Sequence, residues 1–459
     1  MNLSALHQQH PDLAILTQLL VDAGGQPYLV GGSVRDLCLG TIPKDLDIEV
    51  SGLSRSRLMR ALSSRYDVDQ VGKKFGVFIL RGLPFDIALP RMETPTGPKH
   101  TDFEIQYDPN LPLERAAARR DFTLNAIYLD LKSGELIDPH RGLEDLARRH
   151  LRHTSHQFSE DPLRVLRAMQ FIARFDLSCD PTTIELCRTM PLSDLPRERI
   201  WEEFKKLILQ GVHIRKGLQF LQDAGGLSHF PELEALVGCE QDPHWHPEGD
   251  VWTHTLLAMD AFAKRRIGNA EEDLIVGLAV LCHDMGKPLT SFREQGRIRS
   301  PRHEKEGVPI TERFLQRLTR DQRILQDVPP LVREHMAPHQ LFATDASDAA
   351  LRRLALRVGR VDRLLRVCQA DREGRLDPWQ PLPFPEGEWA EKRFEALQLK
   401  SSKPKPLILG RDLIEKGLTP GPHFSEILQS LFDAQLEGHF TTRESGLTYL
   451  DQWLRSHKP

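Results

Sequence analysis

The two runs Tyr28-Leu-Val-Gly-Gly-Ser-Val-Arg-Asp36 and Lys44-Asp-Leu-Asp-Ile-Glu-Val50 constrain this chain more than any other stretch. Three apolar residues stop at Gly31-Gly32-Ser33, and an amphipathic segment then ends at Gly40. That order predicts a strand, a glycine turn and a short helix, with Ser33 as N-cap and Gly40 as the C-terminal stop. A glycine turn opening a helix directs backbone N–H groups and the positive end of the helix dipole at one point, which suits phosphate. The second run alternates, with Leu46, Ile48 and Val50 on one strand face and Asp45, Asp47 and Glu49 on the other. Asp45 and Asp47 then stand roughly 6–7 Å apart at their Cα atoms. Such a pair suits magnesium, which takes one or two carboxylates and completes its shell with phosphate oxygens. Either half alone reads as an ordinary turn or a solvated edge strand. In this order and this close together, they describe a metal–triphosphate site.

A chain of 459 residues is too long for one ordinary domain. Its 40% hydrophobic and 27% charged content is that of a globular protein. The net charge of −4 gives no global attraction for nucleic acid, so any such surface is local. The six cysteines form no C-x-x-C pair and fit a reducing cytoplasm rather than a disulfide framework. Met1 to Leu13 lacks the basic-then-apolar pattern of a secretion signal. The longest apolar run, Leu274 to Cys282, is far too short for a membrane span and reads as a buried helix.

Residues 1–27 read as helical, and a further helix ends near Ser64. Val71 to Leu80 and Pro84 to Leu89 read as strands, the latter carrying Asp86 as a third carboxylate beside Asp45 and Asp47 or as a surface aspartate near a turn. The Pro-, Thr- and Gly-rich residues 91–112 read as a mobile loop. In Arg119-Arg-Asp-Phe-Thr-Leu-Asn-Ala-Ile-Tyr128, a strand would place Phe122, Leu124, Ala126 and Tyr128 opposite Asp121, Thr123 and Asn125. Arginine forks there suit phosphates, and Asp or Asn suits a ribose hydroxyl, although paired arginines also solubilise surfaces. Beyond residue 150 the chain reads as almost wholly helical. Asp161-Pro162 opens a helix whose Glu160, Arg164 and Arg167 share a face. A cap and a helical salt bridge explain those residues. So does a base-reading edge, because aspartate only accepts hydrogen bonds and arginine only donates them.

Gly31-Gly-Ser-Val-Arg-Asp36, Asp45-Leu-Asp47, Arg119 to Ala126 and Glu160-Asp-Pro-Leu-Arg-Val-Leu-Arg167 occur in order. Together with Pro196 to Lys206 they resemble the class II tRNA nucleotidyltransferases, the CCA-adding enzymes and their bacterial poly(A) polymerase relatives. The resemblance implies an α+β architecture: a polymerase-β-like nucleotidyltransferase head, then an all-α neck, an HD domain and a tail. It implies Mg²⁺ on Asp45 and Asp47, beside which Asp86 is the further catalytic candidate from the strand reading, and triphosphate contacts from Gly32 and Arg35. Arg120, Asp121 and Asn125 would handle sugar and phosphates. Glu160, Asp161 and Arg164, with Arg167 beside them, would select CTP and ATP without a nucleic-acid template, and the acceptor would be the 3′ end of tRNA. Addition of A alone, or poly(A) synthesis, shares these motifs.

Asp242-Pro-His-Trp-His-Pro-Glu-Gly-Asp-Val-Trp-Thr-His254 and the apolar helix ending in His283-Asp284-Met-Gly-Lys287 form a second constellation. Histidine and carboxylate together suit a transition metal or a mixed metal pair. The segment 244–375 resembles the HD phosphohydrolases: His254, His283, Asp284 and Asp371 match the ligand order, and His303 and His335 would complete a two-metal version. Within CCA-adding enzymes this implies phosphatase and 2′,3′-cyclic phosphodiesterase activity with a metal such as Ni²⁺ or Mn²⁺. A working HD domain on an inactive transferase head is the reading from another class, and the intact Asp-x-Asp and Arg-Arg-Asp argue against it. The expected division is a head at 1–150, a nucleotide-selecting neck at 151–235, an HD domain at 236–395 and a tRNA-binding tail at 396–459. Arg148, Arg149, Arg152, Lys205, Lys206, Arg215 and Lys216 are the candidates for acceptor-stem contacts.

Overall fold

The computed structural model describes residues 3–71, 77–95, 103–375 and 380–456. The chain forms two compact units, Met1–Leu195 with Gln219–Gly226, and Pro196–Leu218 with Leu227–Pro459. The first unit contains the strands β1 (Gln26–Val30), β2 (Leu46–Ser51), β3 (Val68–Val71), β4 (Val77–Leu80), β5 (Phe85–Ala88), β6 (Arg91–Pro95), β7 (Phe103–Tyr107), β8 (Tyr128–Asp130) and β9 (Leu136–Ile137). Among the described residues seven of these make one sheet in the order β3-β4-β5-β2-β1-β8-β9. The acidic strand β2 lies at its centre, antiparallel to β1 and parallel to β5. Leu13, Leu16 and Leu20, spaced by three and four residues on the helix Asp12–Asp22, join Leu29, Ile48, Phe78 and Ile87 in the core. Each buried leucine contributes about 1.5–3 kcal/mol, against less than about 0.7 kcal/mol from helix propensity, so packing rather than propensity holds this helix.

Four local expectations change. Val71 to Leu80 is not one strand: β3 and β4 pair antiparallel, with the residues between them outside the described set. The stretch 91–112 is not a loop, because β6 and β7 form an antiparallel ribbon from Arg91↔Tyr107 to Pro95↔Phe103, and residues 96–102 lie outside the described residues. Arg119 to Tyr128 is not an alternating strand. Thr123–Asn125 is a 3-10 turn, and Asp121 through Tyr128 is buried throughout. The Asn125 amide donates to the Asp121 carboxylate four residues back at 2.9 Å, a contact that a strand, with successive residues stretched apart, does not allow. Finally, the helix Gly32–Cys38 is entered through Gly31 at φ 69°, and Ser33 is not its cap. The Ser33 hydroxyl donates to the Asp45 carbonyl and accepts from the Asp47 N–H, which pins the glycine turn to the start of β2. Gly40 follows at φ 81°, the stop its position predicted.

The second unit is almost entirely helical. Its central helix, Ala270–Cys282, is capped by Asn269, whose side chain accepts from the N–H groups of Glu271 and Glu272. It is apolar on nearly every side, as a helix needs to be when it packs against Val251–Lys264, Gln322–Glu334 and Val361–Glu373 together. Gly277 lets neighbours close in, since a Cβ there would lie 2.5 Å from Ile208 and 2.8 Å from Phe262. The final helices, His423–Glu437 and Arg443–Ser456, share a small core of Ile408, Leu413, Ile427, Leu431, Phe440 and Leu450. Among the described residues no helix is long and apolar enough to cross a membrane.

Candidate functional site

The parallel register of β2 and β5 sets Asp47 directly opposite Asp86. Asp45 stands one residue before β2, and all three carboxylates are open to solvent. Crowding still marks them. Partial burial, together with Asp86 and Asp45, raises the Asp47 carboxyl above its ordinary value although Arg120 pulls it down. Partial burial and then Asp45 raise that of Asp86. Clustered carboxylates that resist sharing their charge, with oxygen as the sole donor type, fit a hard divalent cation. At the adjoining glycine turn a Cβ on Gly31 would lie 3.2 Å from Arg120 Nη1 and 3.7 Å from Asp47 Oδ2.

Behind the carboxylates the motifs interlock. The Asp121 carboxylate accepts from the Phe122 N–H, from Asn125 and from Arg167 Nε at 2.7 Å. Burial alone would raise the Asp121 carboxyl, but Arg167 and Asn125 outweigh it and hold it below the ordinary value. Asn125 in turn accepts from Arg35 Nη1 at 2.8 Å. Arg35, expected at the triphosphate, is buried with its guanidinium 4.5 Å from the Phe175 ring and bonded to Asp36. It braces the turn from beneath. The Asp161 carboxylate accepts from the Leu163 N–H at 3.1 Å, although the cap position of the helix falls one residue later than expected, on Pro162. No helical salt bridge is needed to place Arg164, whose terminal nitrogens donate to the carbonyls of Gln157 and Arg119, both at 2.7 Å. Glu160 closes the preceding 3-10 turn, His156–Glu160. The structure therefore brings the glycine turn, the Arg-Arg-Asp segment and the start of the helix Leu163–Phe175 into one network. Among the basic candidates, Arg148 pairs with Glu144, Arg149 with Asp176, Arg152 with Asp145, Lys205 with Glu202, Lys206 with Glu203 and Arg215 with Asp260.

The second unit gathers His254, His283, Asp284, His303, His335 and Asp371 from five helices or their ends. His254, His283 and Asp371 form one group of potential ligands, and Asp284, His303 and His335 form the next. The rings are oriented for a cation. His283, His303 and His335 each direct Nδ1 at a backbone carbonyl three residues back, on Val280, Ser300 and Val332 respectively. That bond fixes the proton on Nδ1 and leaves the Nε2 lone pair facing inward. The Nε2 atoms of His303 and His335 are then only 3.2 Å apart with no proton between them, and neither oxygen of buried Asp284 accepts a well-directed hydrogen bond. Bonds of about 2.1 Å to one ion put neighbouring nitrogens roughly 3.0–3.4 Å apart, so the donor set fits a metal with imidazole affinity. Burial, reinforced by His303 and His283, holds His335 down to about 3, which keeps it a neutral ligand.

Sequence reasoning missed two supporting groups here. Glu248 Oε1 accepts from His254 Nδ1 at 2.7 Å and from His246 Nδ1 at 2.8 Å, and burial opposes but does not prevent its fall to about 2. Lys287 pairs with Asp284 Oδ2 at 2.7 Å and donates to Gln241. Both lie inside the motif runs, Glu248 in Asp242 to His254 and Lys287 in His283 to Lys287. Their signal was nearness in the chain to His246 and Asp284. A cleft of about 410 Å³ opens over this cluster, with Trp245, Lys287, Met336, Arg375 and Phe384 on its walls.

Three family models match: the poly A polymerase head domain over residues 27–152, the probable RNA and SrmB binding site of polymerase A over 178–236, and the HD domain over 251–372. A multifunctional CCA protein of Xanthomonas campestris pv. campestris is 36% identical over 417 residues, covering 88% of this chain and 96% of the relative. One from Acinetobacter baumannii is 34% identical over 389 residues, covering 82% and 90%. The fold is similar to that of the Bacillus stearothermophilus CCA-adding enzyme solved with CTP, with a TM-score of 0.65, 23% identity and 98% of each chain covered. It is also similar to that of the Thermotoga maritima CCA-adding enzyme solved with tRNA, with a TM-score of 0.61, 20% identity and coverage of 96% and 94%. With a transferase-type head, an HD domain and relatives matched over nearly their whole length, the chain belongs to the family of multifunctional CCA proteins.

Proposed function

We propose that this protein adds C, C and A to the 3′ end of tRNA from CTP and ATP without a nucleic-acid template, and that its HD domain hydrolyses phosphoesters. The observation that carries the first activity is the opposition of Asp47 and Asp86, with Asp45 beside them, next to the Gly31 turn. Asp45, Asp47 and Asp86 would hold Mg²⁺, which when bound supplies Lewis acidity toward the attacking hydroxyl and charge for the departing pyrophosphate. The Gly31 turn and Arg120 receive the triphosphate. Asp86, opposite Asp47 on β5, takes the proton of the 3′-hydroxyl as the new P–O bond forms and pyrophosphate departs. Asp161 and Arg164, an acceptor and a donor anchored at one helix start, read the base edge of CTP or ATP, with Glu160 and Arg167 beside them. Asp121 and Asn125 fix the floor beneath the sugar.

In the second unit His254, His283 and Asp371 would hold one transition-metal ion such as Ni²⁺ or Mn²⁺, and Asp284, His303 and His335 a second. When bound, they supply an activated water for phosphatase and 2′,3′-cyclic phosphodiesterase chemistry. Lys287 and Arg375 on the cleft wall would orient the phosphate. We read residues 1–150 as the head, 151–235 as the nucleotide-selecting neck, 236–395 as the HD domain and 396–459 as a tRNA-gripping tail. The free state of all six cysteines fits a cytoplasmic setting.

The test offers purified protein tRNA transcripts lacking CCA, CA or A, with CTP and ATP singly and together. Stepwise completion of each transcript to CCA is expected. Addition of A only to the transcript ending in CC, or extended A tracts, would replace this reading with an A-adding enzyme or a poly(A) polymerase.

A further inference from the structure

The strand β2 carries one acid more than the carboxylate cluster uses. Glu49 lies two residues beyond Asp47 yet is 1% exposed. Its Oε2 is 3.3 Å from Arg119 Nη2 and 3.6 Å from Arg120 Nη2, and the Tyr128 hydroxyl donates to its Oε1 at 3.3 Å. The Arg120 guanidinium lies 5.6 Å over the Tyr128 ring, and its other terminal nitrogen reaches the Gly31 turn beside Asp47. Arg120 thus stands between two acids, one buried and one in the metal-binding cluster. A buried carboxylate is tolerated only while its cations stay in place, so Glu49 and Arg120 fix one another.

We infer that Glu49 is a positioning residue for nucleotidyl transfer: it holds Arg120 at the Gly31 turn for the incoming triphosphate and keeps that guanidinium off the Asp47 carboxylate. The inference rests on the transfer reading above. With Glu49 neutralised, Arg120 loses its buried counter-ion, and Asp47 becomes its nearest acid. An Arg120–Asp47 ion pair would withdraw one carboxylate from the metal cluster and one cation from the triphosphate together. Arg119 and Tyr128 complete the clamp but do not reach the turn in the same way, which makes Arg120 the residue through which Glu49 acts.

The test compares Glu49→Gln, Arg120→Ala and the double variant, measuring KM and kcat for CTP and ATP on tRNA and CTP affinity without turnover by equilibrium dialysis. Glu49→Gln is expected to raise KM and the CTP dissociation constant about tenfold, and to have no further effect in the Arg120→Ala background. Glu49→Asp, which keeps the charge, recovers part of the loss. A merely structural role would lower the folded fraction and leave KM unchanged. Multiplying effects in the double variant, or an unchanged KM in Glu49→Gln, overturns the inference. Should Glu49→Gln not fold, Glu49→Asp with Arg120→Ala carries the same comparison. Failure of the wild-type protein to add any nucleotide would instead refute the transfer reading.

Discussion

Gly286 packs against the start of the helix His303–Leu318, and Gly286→Ala pushes His303 away from Asp284 and His335. A Cβ at this position would lie 2.0 Å from the His303 carbonyl oxygen and 2.7 Å from the Gly307 amide nitrogen. Both are backbone atoms, so no side chain can swing aside, and real Cβ contacts essentially never fall under 3.0 Å. The helix His303–Leu318 therefore has to retreat by about 1 Å. His303 Nε2 now sits 3.4 Å from Asp284 Oδ1 and 3.2 Å from His335 Nε2. Metal–ligand bonds tolerate only about 0.2 Å, so the Asp284–His303–His335 group loses its metal while His254, His283 and Asp371, on other helices, keep theirs. The loss of affinity should reach at least the order of 10–100-fold that disturbing a ligand's support produces. Metal content of dialysed protein, measured by elemental analysis, is expected to fall from two divalent ions per chain to one, and phosphoester hydrolysis to fall with it. Addition of CCA, whose proposed carboxylates and base-reading residues lie in the first unit, is expected to persist and reports that the chain is folded. Retention of full metal content in Gly286→Ala would refute the reasoning.

The two sites should separate genetically. Asp47→Ala is expected to abolish nucleotide addition and leave phosphoester hydrolysis, and His283→Ala to do the reverse; loss of both activities in either single variant would contradict the two-site reading. Glu248→Gln, which weakens the carboxylate support of His254 Nδ1, should reduce metal affinity by roughly 10–100-fold in a dialysis titration while the melting temperature in excess metal stays near wild type. The stability of the second unit should also carry a signature of Glu272. Hydrogen bonds from Arg363 hold the Glu272 carboxyl below its ordinary value of 4.5, and its side chain is 14% exposed. A carboxyl lowered on folding stabilises fully above its unfolded value and loses that contribution as pH falls through the folded one. Glu272→Gln should therefore lower the melting temperature most above pH 4.5, with the gap to wild type narrowing under more acidic conditions. A gap that stays constant with pH would show that the pair is not the source.

What could be read from the sequence was which polar side chains the fold brings together. Asp45 and Asp47 were legible because strand alternation needs only the local chain, and Asp86 because its strand was short and apolar. The histidines and Asp371 were legible as a set because imidazole and carboxylate beside an apolar helix signal a metal. The fold was less legible where tertiary contacts override local pattern. Phe122, Leu124, Ala126 and Tyr128 alternate as a strand would, yet the Asp121–Asn125 bond and burial on all sides bend that segment into a turn. The ribbon of β6 and β7 was hidden by its Pro and Gly content, which reads as loop unless the pairing partner is known.

The residues that hold the chemistry in place were hardest to read, and the reason is physical. Glu49 follows the same alternation as Asp47, so the sequence assigns both to one polar face; only the arrival of Arg119, Arg120 and Tyr128 from some 70 residues away buries the first and leaves the second open. Arg35 shows the converse. Its place after a glycine turn suggests a phosphate contact, but Phe171, Phe175 and Asn125 cover it from distant parts of the chain. A charged side chain's role is decided by whether its counter-ion is a neighbour in the fold or a ligand from solution. Alternation and motif spacing place the charge; they do not say which partner neutralises it. Buried acid–guanidinium clamps such as Glu49 with Arg120 are therefore the places where a sequence reading assigns a residue to the wrong partner, and where a charge-neutral substitution should disturb the neighbouring site more than its distance from the ligand suggests.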